Sequence, residues 1–268
     1  MQEQEPNLQR FNLFLKFLKG DARVPDAFSW SNSISTKISV MQIIYKEVLE
    51  QLPKCFDELE KITQNRFGSG IECSKLAIKY EVFLNSIYAL CENLSGVVRY
   101  LYKSKLPEGF RKQKSRLLKD LSLDSVYSNM LKTTSWYDEV RAIRAEATHY
   151  LSGFITINSP TELGYFNVPK SQRNGTLKDI SIYDVEKHIR QMYSDVFTFL
   201  FSFGNHFIKV IDQDNPVVLT CLVTSGLIGA KRISLEEYLN NESGICHTVN
   251  FDCPKKDSCE ARNKANNT

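Results

Sequence analysis

The sequence predicts a mainly α-helical fold, and three observations support this prediction. Three long segments repeat apolar residues every three or four positions, which is the period of an amphipathic helix. Runs with β-propensity are few and short. The composition, with 42% hydrophobic and 24% charged residues, is typical of a globular protein that buries a core. We therefore expect a bundle of long amphipathic helices with an inserted β-hairpin and a small α/β C-terminal appendage.

The first elements are a short helix and a long one. Residues 1–35 form an N-terminal segment in which the apolar run Phe11–Leu18 predicts a short helix that docks on the bundle or on a partner. The stretch 20–32 contains Gly, Pro, Ser and Asp, which favours a connector. The first long helix is predicted from about Thr36 to Gln64 and ends before the glycines at 68 and 70.

A second long helix is predicted from about Glu72 to Lys103, where Pro107 and Gly109 end it. Two shorter helices, at about 110–121 and 123–132, are expected to follow. The next helix runs from Ser135, a residue suited to an N-cap, to about Tyr150.

The chain then becomes β-prone before it returns to helix. The runs 154–158 and 165–169 predict a hairpin within about residues 153–170. Ser181 is expected to cap a third long helix that Asn215 and Pro216 close. Residues 36–212 thus form the helical bundle. Residues 213–268 form the appendage, with a strand at 217–223, a short helix at 234–239 and a Cys-rich tail.

The net charge of +3 is small, but the basic residues are unevenly distributed. Between Arg99 and Lys119 there are eight basic residues and one acidic residue, Glu108. A patch of this kind attracts polyanions in a salt-dependent way. A solvated helix face is the alternative interpretation. The candidate nucleic-acid-binding residues are Lys103, Lys105, Arg111, Lys112, Lys114 and Arg116.

No apolar run is long enough for a membrane span, and the first residues lack the features of a secretory signal, so we expect a cytoplasmic protein with no membrane partner. In that compartment Cys55, Cys73 and Cys91 are expected to be small reduced core residues.

His188 and His206 are expected to be surface or packing residues of the last helix. No P-loop, GxGxxG, HExxH or GxSxG motif is found, which argues against kinase, dinucleotide oxidoreductase and serine hydrolase functions.

The most informative motif is the helix segment from Trp136 to Tyr150, in which Arg144 precedes His149 by five residues. An arginine binds phosphate and an imidazole transfers protons near neutral pH, so the pair has the minimum chemistry for cleaving RNA without a metal. Positions five apart point roughly 140° away from each other on an ideal helix. The two side chains therefore converge only if Arg144 bends around the helix or if the last turn loosens before Gly153, and two such helices meeting across a dimer would ease this requirement. A chance pairing on a solvated helix is the alternative.

This arrangement resembles the arginine-x4–6-histidine signature of the HEPN domain family (higher eukaryotes and prokaryotes nucleotide-binding), helical proteins of which many are ribonucleases. The resemblance implies that Arg144 binds the scissile phosphate and that His149 acts as general acid or base while the RNA 2′-hydroxyl attacks. It implies that catalysis needs no cofactor and that a homodimer forms a composite site. It also implies a toxin or defence role, with RNA as the substrate and a cognate antitoxin or another protein as a partner. The supporting residues are Arg141, Glu92, Thr148 and Tyr150.

Two positions depart from the family pattern. Ala145 stands where members often have a polar residue after the arginine, and Leu151 stands where many have a tyrosine. These departures favour the alternative of a non-catalytic HEPN-like module that binds RNA, a nucleotide or a protein partner.

The C-terminal tail contains four candidate zinc ligands, and the spacing of these residues differs from the usual C-x2-C arrangement. The alternatives are free thiols in a loose tail and a disulfide between two of the cysteines. A structural zinc would favour a third function, that of a zinc-stabilised interaction protein. The candidate ligands are Cys246, His247, Cys253 and Cys259.

Overall fold

The structure, a computed structural model, describes residues 8–65, 70–117, 119, 124–149, 153–159, 161–167, 180–211, 217–223, 226–233 and 235–236. Within these ranges most residues are helical, so the predicted fold class is confirmed as mainly α. The helices are α1 (Gln9–Leu18), α2 (Ala27–Asn65), α3 (Ile71–Leu101), α4 (Phe110–Leu117), α5 (Ser125–Lys132), α6 (Ser135–His149) and α7 (Val185–Phe207). The strands are β1 (Phe154–Ser159), β2 (Glu162–Asn167), β3 (Ile180–Ile182), β4 (Val217–Val223) and β5 (Gly226–Ile233).

Helices α2 and α3 form the longest packed pair. A disulfide between Cys55 and Cys73 joins them, so the prediction that both cysteines are reduced was wrong. Next to it, the Glu58 carboxylate accepts hydrogen bonds from the amides of Ile71, Glu72 and Cys73 at 2.9, 2.7 and 3.1 Å. Glu58 of α2 thus satisfies the free amides that begin α3, and a negative charge is favourable at that end of a helix.

Helix α2 begins at Ala27, earlier than the predicted Thr36. Ile34 is fully buried, and the ring of Trp30 packs against α3 where Gly96 leaves room for it. The hydroxyl of Ser31 donates to the carbonyl of Leu15 at 2.8 Å. The polar composition of this stretch suggested a connector, but its buried apolar side chains continue the helical stripe and extend the helix.

Helix α1 lies against α7 through aromatic rings. Phe14 packs edge-on to Phe203 at 5.4 Å between ring centroids and lies 6.2 Å from Phe207. A Cβ at Gly204 would meet the backbone of Phe11 at 2.6 Å, so glycine permits this close approach.

The three-stranded sheet is antiparallel in the order β1-β2-β3, and β3 was not predicted. Ser181 lies in β3, so the predicted cap was wrong: Asp184 caps α7 by accepting the Lys187 amide at 3.0 Å. The sheet is tied to α3 because Glu81 accepts hydrogen bonds from the hydroxyl of Tyr165 and the amide of Gly153, both at 2.7 Å.

The C-terminal appendage is described in part. The predicted strand β4 pairs in antiparallel fashion with β5, which was not predicted, and Leu235 and Glu236 are helical. None of the helices in the described part of the chain combines the length and apolarity needed to cross a membrane.

Candidate nucleic-acid interface

An open groove of about 970 Å³ lies between α3, α4 and α6. Six of its lining residues are basic and two are acidic. The basic residues are Arg111, Lys112, Arg116, Lys119, Arg141 and Arg144, and the remainder are Tyr88, Glu92, Glu108, Gly109, Ser115, Tyr137 and Ala145. The structure thus brings part of the predicted basic patch together with Arg144, Arg141 and Glu92 from distant parts of the sequence.

Helix α6 presents one face to the groove. Tyr137, Arg141 and Arg144 follow each other at helical spacing, so their side chains share a face. Tyr137 is fully buried and anchors this face. The Nε atoms of Arg141 and Arg144 are both buried, and neither has a hydrogen-bond partner among the described residues. Buried donors of this kind are normally satisfied, so two of them on one face of α6 are unusual.

The guanidinium of Arg144 is held over an aromatic ring. Its central carbon lies 4.6 Å from the ring centroid of Tyr88. The rings of Tyr88 and Tyr137 are nearly parallel, at 12°, with centroids 6.0 Å apart. A cation over a ring is stabilised by about 0.5–1 kcal/mol at an exposed site, and this contact restricts the rotamers of the arginine. The arginine is therefore oriented before any ligand arrives.

Glu92 lies in the same wall of the groove. Its Oε1 accepts a hydrogen bond from the hydroxyl of Tyr137 at 2.7 Å. Burial raises the pKa of Tyr137, and the hydrogen bond to Glu92 raises it further, so the phenol remains a proton donor. Glu92 forms no ion pair with any described lysine or arginine, although six basic residues line the groove.

The buried side of α4 determines which of its basic residues reach the groove. Gln113 is fully buried and donates to the carbonyls of Ser95 and Pro107 at 2.7 and 3.0 Å. The ring of Phe110 packs against that of Tyr137 with centroids 4.6 Å apart. These contacts hold one face of α4 against the core, and the basic face is left toward the groove.

Three of the predicted nucleic-acid-binding residues do not line the groove. Lys103 and Lys105 are exposed in the loop after α3. The ammonium of Lys114 contacts Asp138 at 2.7 Å and the carbonyl of Thr134 at 2.9 Å, so its charge joins α4 to α6. Lys119, by contrast, was in the basic run but not among the candidates, and it lines the groove.

The prediction for the Arg144–His149 pair remains untested. His149 is the last residue of α6, and its side chain and that of Thr148 lie outside the described part of the structure, as does all of Tyr150. The candidate zinc ligands Cys246, His247, Cys253 and Cys259 also lie outside the described residues. Among the described residues no group of three or more metal-ligating side chains is found.

His188 and His206 have partners within the protein. His188 Nδ1 is hydrogen-bonded to the hydroxyl of Tyr80 at 2.8 Å, and its Nε2 lies 3.2 Å from Glu139 at an ion-pair distance without hydrogen-bond geometry. This contact lowers the pKa of Glu139 against the opposing effect of burial. His206 Nε2 contacts Asp124 at 2.6 Å. Both histidines therefore pack within the bundle, as predicted.

Two aromatic residues of the groove were not identified from the sequence. Tyr88 precedes Glu92 by four residues on α3, and Tyr137 precedes Arg141 by four on α6. Helical spacing from the candidate residues would have placed both tyrosines on the same faces.

Comparison of this chain with family models, with curated proteins and with solved structures finds no match.

Proposed function

We propose that this chain is a metal-independent endoribonuclease of the HEPN type, which binds RNA in the basic groove and cleaves it with Arg144 and His149. One observation carries the proposal: Arg141 and Arg144 project into a groove with four further basic residues, and their buried Nε atoms have no described partner. Phosphate oxygens accept hydrogen bonds and carry the opposite charge, so an RNA backbone complements the guanidinium and ammonium groups that line the groove.

Binding of the RNA backbone is the first step. Arginine presents planar, permanently charged donors that suit the oxygens of a phosphate. Arg144, held over Tyr88, binds the scissile phosphate, and Arg141, one turn earlier on α6, binds a neighbouring phosphate. The basic residues of α4 extend the track on the opposite wall.

Cleavage follows by internal attack. A general base takes the proton of the 2′-hydroxyl, the O2′–P bond forms, and the P–O5′ bond breaks. A general acid protonates the leaving 5′-oxygen, so the products are a 2′,3′-cyclic phosphate and a 5′-hydroxyl. His149 transfers a proton in this reaction, and Arg144 stabilises the charge that develops on the phosphate oxygens.

The proposal includes a homodimer. Arg144 and His149 are five residues apart on α6, which directs the two positions roughly 140° away from each other on an ideal helix. Two copies of α6 related by a two-fold axis would let the histidine of one subunit serve the groove of the other.

A non-catalytic RNA-binding module is the second candidate, and one observation favours it. Ala145 lines the groove, so the position next to Arg144 supplies a methyl group where HEPN ribonucleases often have a polar side chain. The groove would then bind RNA without cleaving it.

Measuring binding and cleavage separately in EDTA distinguishes the two functions. The variants are Arg144→Ala and His149→Ala, and the matched control is Lys46→Ala, which removes an exposed positive charge of α2 outside the groove. We expect Arg144→Ala to weaken binding and to abolish cleavage. His149→Ala should retain binding and lose cleavage, with the RNA ends showing a cyclic phosphate only for the wild type and the control.

Three other outcomes would change the conclusion. Binding without cleavage by folded wild-type protein would support the non-catalytic module. Cleavage that persists in both variants would assign the activity to another site or to a contaminant. A folded protein that binds no RNA at low salt would contradict both functions.

A further inference from the structure

Glu92 is one of two acidic residues in the basic groove, and the other, Glu108, pairs with Arg99 at 3.6 Å. A carboxylate repels phosphate, and in a protein it is usually found beside a cation when basic residues are near. Glu92 instead accepts one hydrogen bond, from Tyr137, and makes no ion pair with the described basic residues. Its Oε2 faces Gly109, where an added Cβ would lie 3.3 Å from this oxygen. Glycine at position 109 therefore places no side chain against this oxygen.

A carboxylate oxygen in this position requires a hydrogen-bond donor, and the bases of RNA carry such donors on their edges. We propose that Glu92 selects guanine in single-stranded RNA by accepting hydrogen bonds from guanine N1–H and the 2-amino group. This inference rests on the proposed RNA-binding function of the groove, and it adds a base-specific contact to a site that otherwise binds the backbone.

Guanine follows from the pattern of donors. Of the four RNA bases, guanine alone presents two adjacent donors on its Watson–Crick edge, and the two oxygens of a carboxylate match that pair. Adenine and cytosine present one amino group beside an acceptor nitrogen, which repels the second oxygen. Uracil presents one N–H between two carbonyl groups. The edge is accessible only when the base is unpaired, so the substrate is single-stranded.

The surroundings of Glu92 suit an unpaired base. Tyr88 lies one helical turn before Glu92 on α3, and the Arg144 guanidinium covers it at 4.6 Å. Bases stack on guanidinium planes, so the face of Arg144 turned away from Tyr88 is a platform beside the carboxylate, while its N–H groups point along the plane to phosphate. Tyr137 acts as a positioning residue, because its buried hydroxyl fixes the orientation of Glu92 through the 2.7 Å hydrogen bond.

The test measures affinity for a short fluorescein-labelled polyuridine strand in which one central base is varied. The strand is 2′-O-methylated so that it cannot be cleaved by 2′-hydroxyl attack. The central bases are guanine, inosine (which lacks the 2-amino group), adenine and uracil. With wild-type protein we expect guanine to bind about tenfold more tightly than adenine, with inosine between them.

The variant Glu92→Gln keeps the shape of the side chain and replaces one acceptor oxygen by a donor. We expect the ratio of guanine to adenine affinities to fall to near one, while affinity for the uridine-only strand is unchanged or higher because a negative charge is lost. A purely structural role of Glu92 would lower all four affinities together. The variant's melting temperature is measured beside that of the wild type.

Equal wild-type affinities for guanine and adenine strands would overturn the inference and leave RNA binding intact. A guanine preference that persists in Glu92→Gln would assign the selection to another residue. Failure of folded wild-type protein to bind any strand would overturn the proposed function itself. If the variant does not fold, equal wild-type affinities for the guanine, inosine and adenine strands would still overturn the inference.

Discussion

Two groups of charged residues in this bundle differ in where their partners lie. In the groove, the Nε atoms of Arg141 and Arg144 are buried and find no partner among the described residues. In the second group, which we call the Asp124 cluster (Tyr102, Asp124 and His206), the carboxylate is fully partnered. Asp124 accepts from the Tyr102 hydroxyl and from the Tyr127 amide at 2.8 Å, and it contacts His206 at 2.6 Å.

The Asp124 cluster joins three helices, because its members come from the end of α3, the N-cap of α5 and the end of α7. Burial raises the pKa of Asp124, but hydrogen bonds from His206, Tyr102 and the Tyr127 amide outweigh it and lower the pKa to about 2. The comparison suggests a rule for this protein: charges that are satisfied internally stabilise the fold, and charges left without partners are available to a ligand.

The largest effect is expected for Asp124→Ala. This change removes the N-cap of α5 and leaves His206 and Tyr102 without their shared acceptor. Each buried donor left without its acceptor costs about 1–3 kcal/mol and the lost cap about 1 kcal/mol, so we expect the unfolding free energy to fall by about 3 kcal/mol or more. Urea denaturation measures the change, and Asp57→Ala, which removes an exposed carboxylate of α2, is the control. A loss below about 1 kcal/mol would contradict the structural role of the cluster.

The double variant Arg141→Ala/Arg144→Ala tests the other half of the comparison. Removing one arginine and its charge-assisted hydrogen bond to phosphate weakens affinity about tenfold. We therefore expect the double variant to bind RNA about 100-fold more weakly. The unfolding free energy should change by only about 1 kcal/mol, mainly through the lost contact of Arg144 with Tyr88. Fluorescence anisotropy and urea denaturation are the two measurements. Strong destabilisation with unchanged RNA binding would reverse the roles assigned to the two groups.

Acid pH should weaken the contribution of the Asp124 cluster to stability without a change of sequence. The pKa of Asp124 is lowered from 3.8 to about 2, so its contribution to stability is present above pH 4 and is lost as the pH falls toward 2. Other carboxylates also titrate there, so the relevant quantity is the stability difference between the wild type and Asp124→Asn. We expect this difference to shrink as the pH falls from about 4 toward 2. A difference that grows at acid pH would contradict the sign of the shift.

The helices were predictable because the period of apolar residues depends on local sequence, as for the stripes of α3 and α7. Arg144 was also identified from the sequence through the motif on α6, and Arg141 and Glu92 were named as its supporting residues. The start of α2 was placed too late because contacts with distant elements bury Ile34 and partly bury Trp30. Such contacts are not visible in a local composition of Gly, Pro and Ser.

The partners of individual charges were not predictable. Lys112 and Lys114 lie two residues apart in one basic run, yet only Lys112 lines the groove. Gln113, which lies between the two lysines in the sequence, is buried and sets the rotation of α4 against the core. Lys114 is thereby directed to Asp138. Whether a lysine is paired thus depends on how α4 packs, which the spacing of charges does not record.

This pair of lysines supports the smallest and most closely matched prediction. Lys112→Ala removes a groove cation, so the slope of log affinity against log salt should decrease by about 0.7, the value for one contact to single-stranded nucleic acid. Lys114→Ala removes the same charge two residues away, but Asp138 already neutralises it, so the slope should not change. Its effect should appear instead as a loss of about 1 kcal/mol or less in unfolding free energy. The net charge changes equally in both variants. Equal salt slopes would therefore mean that RNA responds only to the overall basic patch. The distinction between partnered and unpartnered charges would then be wrong.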